Sequence, residues 1–260
     1  MDVVICPDAE AVGREAAAVV ARVVKQVGPE VVLGVATGSS PLALYEALAE
    51  MVQAGELDLS SARAFALDEY VGLPKGHPES YAAVIARTVT EPLRMNPELV
   101  RTPDGFADDV YAAAEEYEAA IEAAGGIDVQ ILGVGANGHI GFNEPTSSLK
   151  SRTRPMVLSE TTRADNARFF DSIDEVPKHC LTQGLGTILD ARETVLVALG
   201  EGKAAAIAGV VEGPVTTWCP GSILQFHPNV TIIVDEGAAS RLAQPDFYRY
   251  EWENRLPRHS

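Results

Sequence analysis

Along the chain, short apolar runs rich in β-branched residues alternate with longer stretches whose apolar positions recur at helical spacing. The runs cover residues 2–6, 31–36, 63–67, 128–134, 155–159, 194–199 and 230–234, each bounded by Gly, Pro or Asp. They are continuous rather than alternating, as expected of strands buried on both faces of a parallel sheet. Ala-rich amphipathic stretches lie at 9–26, 41–54, 81–89, 107–124, 181–189, 203–212 and 237–243. Strand and helix alternating at this spacing predict an α/β fold, a single doubly wound, mainly parallel sheet with helices on both faces. No Pro/Gly/Ser linker, internal repeat or low-complexity tract interrupts the pattern, so a single domain over residues 1–260 is expected.

Composition narrows the function classes. Of 260 residues, 47 % are hydrophobic and 22 % charged, which supplies a full core and excludes a disordered chain. The formal charge of −17 repels nucleic acid and anionic lipid, so neither nucleic acid nor membrane is an expected partner. An anionic ligand must therefore be met by local donors against the global field. Cys6, Cys180 and Cys219 are odd in number and widely spaced, pointing to free thiols in a reducing compartment. The N-terminus has no signal-peptide pattern and no apolar run approaches a bilayer span, so a soluble, cytoplasmic protein is expected.

In open α/β sheets ligands bind beyond the carboxyl ends of the strands, and four loops there carry unusual chemistry. Thr37-Gly38-Ser39-Ser40-Pro41 can turn backbone N–H groups and hydroxyls on an anion. It can equally be a plain helix start, with Ser40 as N-cap and Pro41 in the first turn. Asp68-Glu69 ends a strand with two carboxylates, either a general base in a desolvated cleft or turn-forming residues. The third loop, Gly133 to Pro145, matches the dinucleotide pattern through Gly133, Gly135 and Gly138. That fingerprint needs a helix opening at its third glycine, and Pro145 with the polar run 147–154 leaves none, so the nucleotide reading is rejected. What remains is His139 with Glu144 five residues on and Asn137 beside it, an acid/base set or a structural histidine. Gly200-Glu201-Gly202-Lys203 puts a lysine at a helix start, where the dipole disfavours a cation unless an anion intervenes or solvent screens it. No loop has metal-ligand spacing, and no G-x-S-x-G elbow is present.

Taken together, these loops resemble the glucosamine-6-phosphate deaminase (isomerase) family. The resemblance rests on Leu67-Asp68-Glu69-Tyr70-Val71-Gly72-Leu73, His77-Pro78-Glu79-Ser80-Tyr81, and above all Gly138-His139-Ile140-Gly141-Phe142-Asn143-Glu144-Pro145. Ser151-Arg152-Thr153-Arg154, Ala167-Arg168-Phe169-Phe170-Asp171, 200–204 and 222–228 continue it in order. It implies an enzyme converting glucosamine 6-phosphate and water to fructose 6-phosphate and ammonium, with no cofactor and no metal. In that reading Asp68 moves a proton between C2 and C1 through an enolamine, and His139, supported by Glu144 and Asn137, opens the pyranose. Some members carry Asp where this chain has Asn137. The phosphate would lie on Thr37, Gly38, Ser39, Ser40, Arg168 and Lys203. Two alternatives share parts of the pattern, a 6-phosphogluconolactonase-like hydrolase and a non-catalytic sugar-phosphate sensor. Oligomeric state varies in the family, which leaves a homo-oligomer open. Members activated by N-acetylglucosamine 6-phosphate continue the Ser-Arg-Thr-Arg motif with Lys and Thr; this chain has Met156 and Val157 there. Ser147, Ser148 and Arg154 are kept, and Lys150 or Arg152 are the cations near enough to replace the lysine.

Overall fold

A computed structural model describes residues 1–256. Ten strands and nine α-helices follow in the order β1 (Asp2–Cys6), α1 (Ala9–Val27), β2 (Val32–Val35), α2 (Leu42–Gln53), β3 (Arg63–Ala66), β4 (Asp68–Val71), α3 (Tyr81–Ile85) and β5 (Val100–Arg101). The chain continues through α4 (Val110–Ala123), β6 (Val129–Leu132), β7 (Arg154–Val157), α5 (Glu160–Asn166), β8 (His179–Thr182), α6 (Leu185–Leu189) and β9 (Glu193–Ala198). It ends with α7 (Ala204–Val211), β10 (Val230–Asp235), α8 (Glu236–Ala239) and α9 (Pro245–Asn254). Among the described residues no helix is long and apolar enough to cross a membrane.

Seven strands form one parallel sheet in the order β1-β10-β9-β6-β2-β3-β5. The chain winds outward in one direction from β2 to β3 and β5, and in the other from β6 to β9 and β10. The switch point therefore lies between β2 and β6. Every residue of β2, β6 and β9 is buried, which is why these strands read as continuous apolar runs. Leu33, Val35, Val129, Ile131, Val195 and Val197 pack with α1 and α2 on one face. Leu132, Leu196, Ala198, Ile232 and Val234 pack with α6, α7 and α8 on the other, beside a smaller cluster around Tyr117 and Ile121 of α4. The doubly wound α/β expectation holds.

Four expectations change. Residues 155–159 do not join the parallel sheet: β7 belongs to a second, antiparallel sheet of order β4-β8-β7. The stretch 181–189 is no single helix, because Leu181 and Thr182 finish β8 and the helix begins at Leu185. Ser40 does not cap α2; Pro41 occupies that position with no side-chain bond, leaving the Ser39 and Ser40 hydroxyls outside the helix. The helix expected from 81 is a true α-helix only to Ile85 and continues as a wider π turn over Ala86–Thr90.

Candidate active site

Loops from the carboxyl ends of β2, β3, β6 and β9, which flank the switch point, converge with α5 on a cavity of about 360 Å³. That size falls within the range of small-molecule sites. All four loops singled out from sequence contribute to its walls: Thr37 to Pro41, Asp68, Gly133 to Gly135 with His139, and Gly202 with Lys203, while Asn137 and Glu144 stand behind His139 rather than on the wall. Arg168 reaches it from the segment after α5. The rejected dinucleotide reading stays rejected, since no helix follows Gly138 before β7. The glycines there have another use. A Cβ on Gly135 would stand 2.2 Å from the His139 ring, and one on Gly138 would stand 2.5 Å from the Cys219 sulfur at a φ of +82°.

The two carboxylates that open β4, just beyond the end of β3, divide the two roles left open by the sequence. Glu69 is fully buried and points away from the cavity, where it accepts the N–H groups of Tyr70, Tyr81 and Ala82 at 2.8 Å each. It ties β4 to the start of α3, a structural use. Asp68 faces the cavity and is 5 % exposed. Burial, then the neighbouring Glu69 charge, push its pKa up to about 8, and the Phe142 N–H works only partly against them. Asp68 thus titrates where a general acid/base must.

His139, Asn137 and Glu144 come together as expected. Asn137 uses both halves of its amide, accepting the His139 N–H at 3.1 Å and donating to Glu144 Oε2 at 2.9 Å. His139 Nδ1 is buried with no hydrogen-bond partner and lies 3.7 Å from the same Glu144 oxygen. On Glu144, 6 % exposed, burial raises the pKa but is outweighed by the His139 and Thr162 contacts and the Ser159 N–H, which hold it down to about 2. Glu144 is therefore a carboxylate at any working pH, and its charge 3.7 Å from Nδ1 favours the tautomer with the imidazole proton on that nitrogen.

At the anion end, burial lowers the pKa of Lys203, opposed by Asp165 and reinforced by the Arg168 charge. Two like charges converging on a pocket lined by the Ser39 and Ser40 loop make an arrangement that a dianion would complete. Lys203 lies in the 3-10 turn Glu201–Lys203 ahead of α7, close to its expected place.

Sequence reasoning missed the cavity residues Tyr81, Phe142, Thr162, Asp165 and Asn166. Three of these sit on α5. Its start was hidden because 155–159 reads as a strand running up to Ser159, although Ser159 followed by Thr162 carries the N-cap signal actually used.

Residues 7–233 match the family described as glucosamine-6-phosphate isomerases/6-phosphogluconolactonase. A glucosamine-6-phosphate deaminase of Cutibacterium acnes is 58 % identical over 250 residues, covering 96 % of this chain and 95 % of the relative. One of Streptomyces avermitilis is 56 % identical over 253 residues, covering 97 % of each. Among solved structures, a monomeric glucosamine-6-phosphate deaminase superposes with a TM-score of 0.90 at 39 % identity, covering 93 % of this chain and all of that one. The 6-phosphogluconolactonase of Trypanosoma cruzi, at TM-score 0.75 and 21 % identity over 93 % of this chain and 97 % of its own, shares the fold. The chain belongs to the glucosamine-6-phosphate isomerase/6-phosphogluconolactonase family.

Proposed function

We propose that this chain, as a single catalytic domain acting in the cytoplasm, converts glucosamine 6-phosphate and water to fructose 6-phosphate and ammonium. The observation that carries the reading is Asp68: a buried carboxyl, titrating at about 8, on the wall of a cavity that also holds an imidazole–carboxylate pair and two converging cations. A lactone hydrolase must activate water, whereas an aldose–ketose isomerisation must take a proton from carbon and return it to the adjacent carbon. One carboxyl poised near neutrality can do both.

Residues 37–40, Arg168 and Lys203 hold the phosphate. His139 accepts the proton of the anomeric hydroxyl and gives a proton to the ring oxygen; the C1–O5 bond breaks and C1 becomes an aldehyde. Glu144 stabilises the imidazolium that forms in passing, and Asn137 fixes Glu144. Asp68 then removes the C2 proton, giving an enolamine as O1 takes up a proton, and delivers a proton to C1 while the nitrogen gives one up, leaving an imine at C2. Water adds to that carbon, the C–N bond breaks, and nitrogen leaves as ammonium. None of these steps calls for a cofactor. The names of relatives 53–58 % identical agree with this reading.

The test is incubation with glucosamine 6-phosphate, quantifying ammonium and fructose 6-phosphate, alongside 6-phosphogluconolactone. Equimolar formation of both products is expected. Lactone hydrolysis without ammonium release would overturn the reading.

A further inference from the structure

Glu144 is held from two sides, and the second side has no part in the chemistry above. Oε2 faces Asn137 and His139. Oε1 instead accepts the Thr162 hydroxyl at 2.5 Å and the Ser159 N–H at 3.1 Å. Thr162 lies in α5, is 4 % exposed, and shares the cavity wall with Asp165 and Arg168 of the same segment. The direction of its proton is fixed. Ser159 Oγ accepts the Thr162 N–H at 3.1 Å and lies 2.9 Å from Thr162 Oγ1, to which it donates. The Thr162 hydrogen is therefore left for Glu144. Meanwhile His139 Nδ1 stays buried and unbonded at 3.7 Å from Oε2, so a small rotation of the carboxylate decides whether the imidazole is oriented or loose.

We infer that Thr162 is a positioning residue for ring opening: by holding Glu144 Oε1 it sets the carboxylate plane that orients the His139 ring and keeps its proton on Nδ1, leaving Nε2 to exchange protons in the cavity. The kinetic part of this inference rests on the proposed deaminase reading; the placement of the imidazole proton does not. Thr162 also lies between Glu144 and Arg168 in the chain. The segment carrying one of the phosphate cations thus carries the group that aligns the acid/base pair, and seating of the phosphate end and readiness of His139 are mechanically joined. Misplacing an aligned group by a fraction of an ångström is costly in rate even when binding is intact.

The test compares T162V, which keeps the shape and removes the hydroxyl, with T162S, which keeps the hydroxyl. On cyclic glucosamine 6-phosphate, T162V is expected to lose about ten-fold in kcat with KM within about two-fold, and T162S to recover to within about three-fold of wild type. Affinity for the reduced, open-chain 2-amino-2-deoxyhexitol 6-phosphate should be unchanged in both, since that ligand needs no ring opening. A T162V kcat above half of wild type would overturn the inference, as would a matching loss of hexitol affinity or a T162S as impaired as T162V. Nitrogen-15 spectra of the His139 ring give a readout independent of turnover. The Nδ1–H tautomer should dominate in wild type and T162S and give way to a mixture in T162V. Identical ring spectra in all three would overturn the inference, and a wild type that forms no ammonium would overturn the deaminase reading alone.

Discussion

Replacing Asp68 with Asn separates what this carboxyl does for the reaction from what it costs the fold. Burial and the Glu69 charge move its pKa from 3.8 to about 8 in the folded chain. The unfolded chain releases the proton near pH 4, whereas the native chain holds it to about pH 8. Within that window the unfolded state binds fewer protons, so stability falls as pH rises, and the loss is complete above the folded value. At 1.36 kcal/mol per unit, about four units set the full penalty near 5 kcal/mol. Asn keeps the shape and cannot ionise. Asp68→Asn should therefore match wild type near pH 4, gain on it by about 1.4 kcal/mol per pH unit through the window, and be clearly more stable at pH 8. Urea unfolding at pH 5, 6, 7 and 8, with m-values compared, measures this directly. The same variant should lose about 10²–10⁴ in turnover, the usual worth of a general acid/base, and wild-type kcat/KM should rise with pH through an apparent value near 8 as the base form appears. Parallel stability profiles for the two proteins would show that Asp68 is not the displaced carboxyl. Retention of more than a tenth of wild-type turnover would remove it from the mechanism.

His139→Gln should impair the cyclic substrate far more than a substrate analogue already open-chain; equal deficits on both would assign His139 to another step or to structure. Arg168→Ala and Lys203→Ala should each weaken sugar-phosphate binding by about ten- to a hundred-fold, the worth of a charge-assisted hydrogen bond, with a smaller effect on kcat; an unchanged KM in both would move the phosphate elsewhere. Saturation with glucosamine 6-phosphate should be hyperbolic and unaffected by N-acetylglucosamine 6-phosphate, because Met156 and Val157 cannot donate to a phosphate and Arg152 is already paired with Glu118 and Asp190; a sigmoidal curve that the acetylated sugar straightens would contradict this.

The central strands were legible because burial on both faces leaves a continuous apolar run, and β2, β6, β9 and β10 all carry one. The antiparallel sheet was not legible as a sheet. β4 reads Asp-Glu-Tyr-Val, a polar stretch whose strand state comes from pairing with β8 rather than from local pattern. β8 was absorbed into a helix because Leu181, Leu185 and Ile188 fall at helical spacing across a real boundary at Gly184. β5 has two residues, too few for any period. At the site, the four loops carried enough odd chemistry to be found separately, and topology joined them. Thr162 and Asn166 carried no such chemistry: a threonine and an asparagine in a polar helix become cavity residues only because α5 folds back over β4, where Asn166 donates to the Tyr70 hydroxyl at 3.0 Å.

The two sheets meet at Asp68, and that junction explains how so costly a carboxyl is kept in place. β3 ends at Ala66 in the parallel sheet and β4 begins at Asp68 in the antiparallel one, with Leu67 between them. Leu67 is bonded to both sides: its N–H donates to Val35 O at 3.0 Å, and its carbonyl accepts the Gln183 N–H at 2.7 Å. Beyond it, Asp68 pairs with Thr182, and the Thr182 hydroxyl accepts the Phe142 N–H of the His139 loop at 3.0 Å. The backbone beneath the carboxyl is thus fixed from β2, from the end of β8 and from the loop that carries the imidazole. Asp68 is 5 % exposed on this fixed backbone, so its carboxyl stays out of water and the pKa displacement persists. The same clamp keeps the carboxyl beside one region of the cavity, which a proton taken from C2 and returned to C1 requires. Displacement of the pKa and fixity of the base are two results of one structural fact, so loosening the Leu67 junction should lower the Asp68 pKa and the rate together.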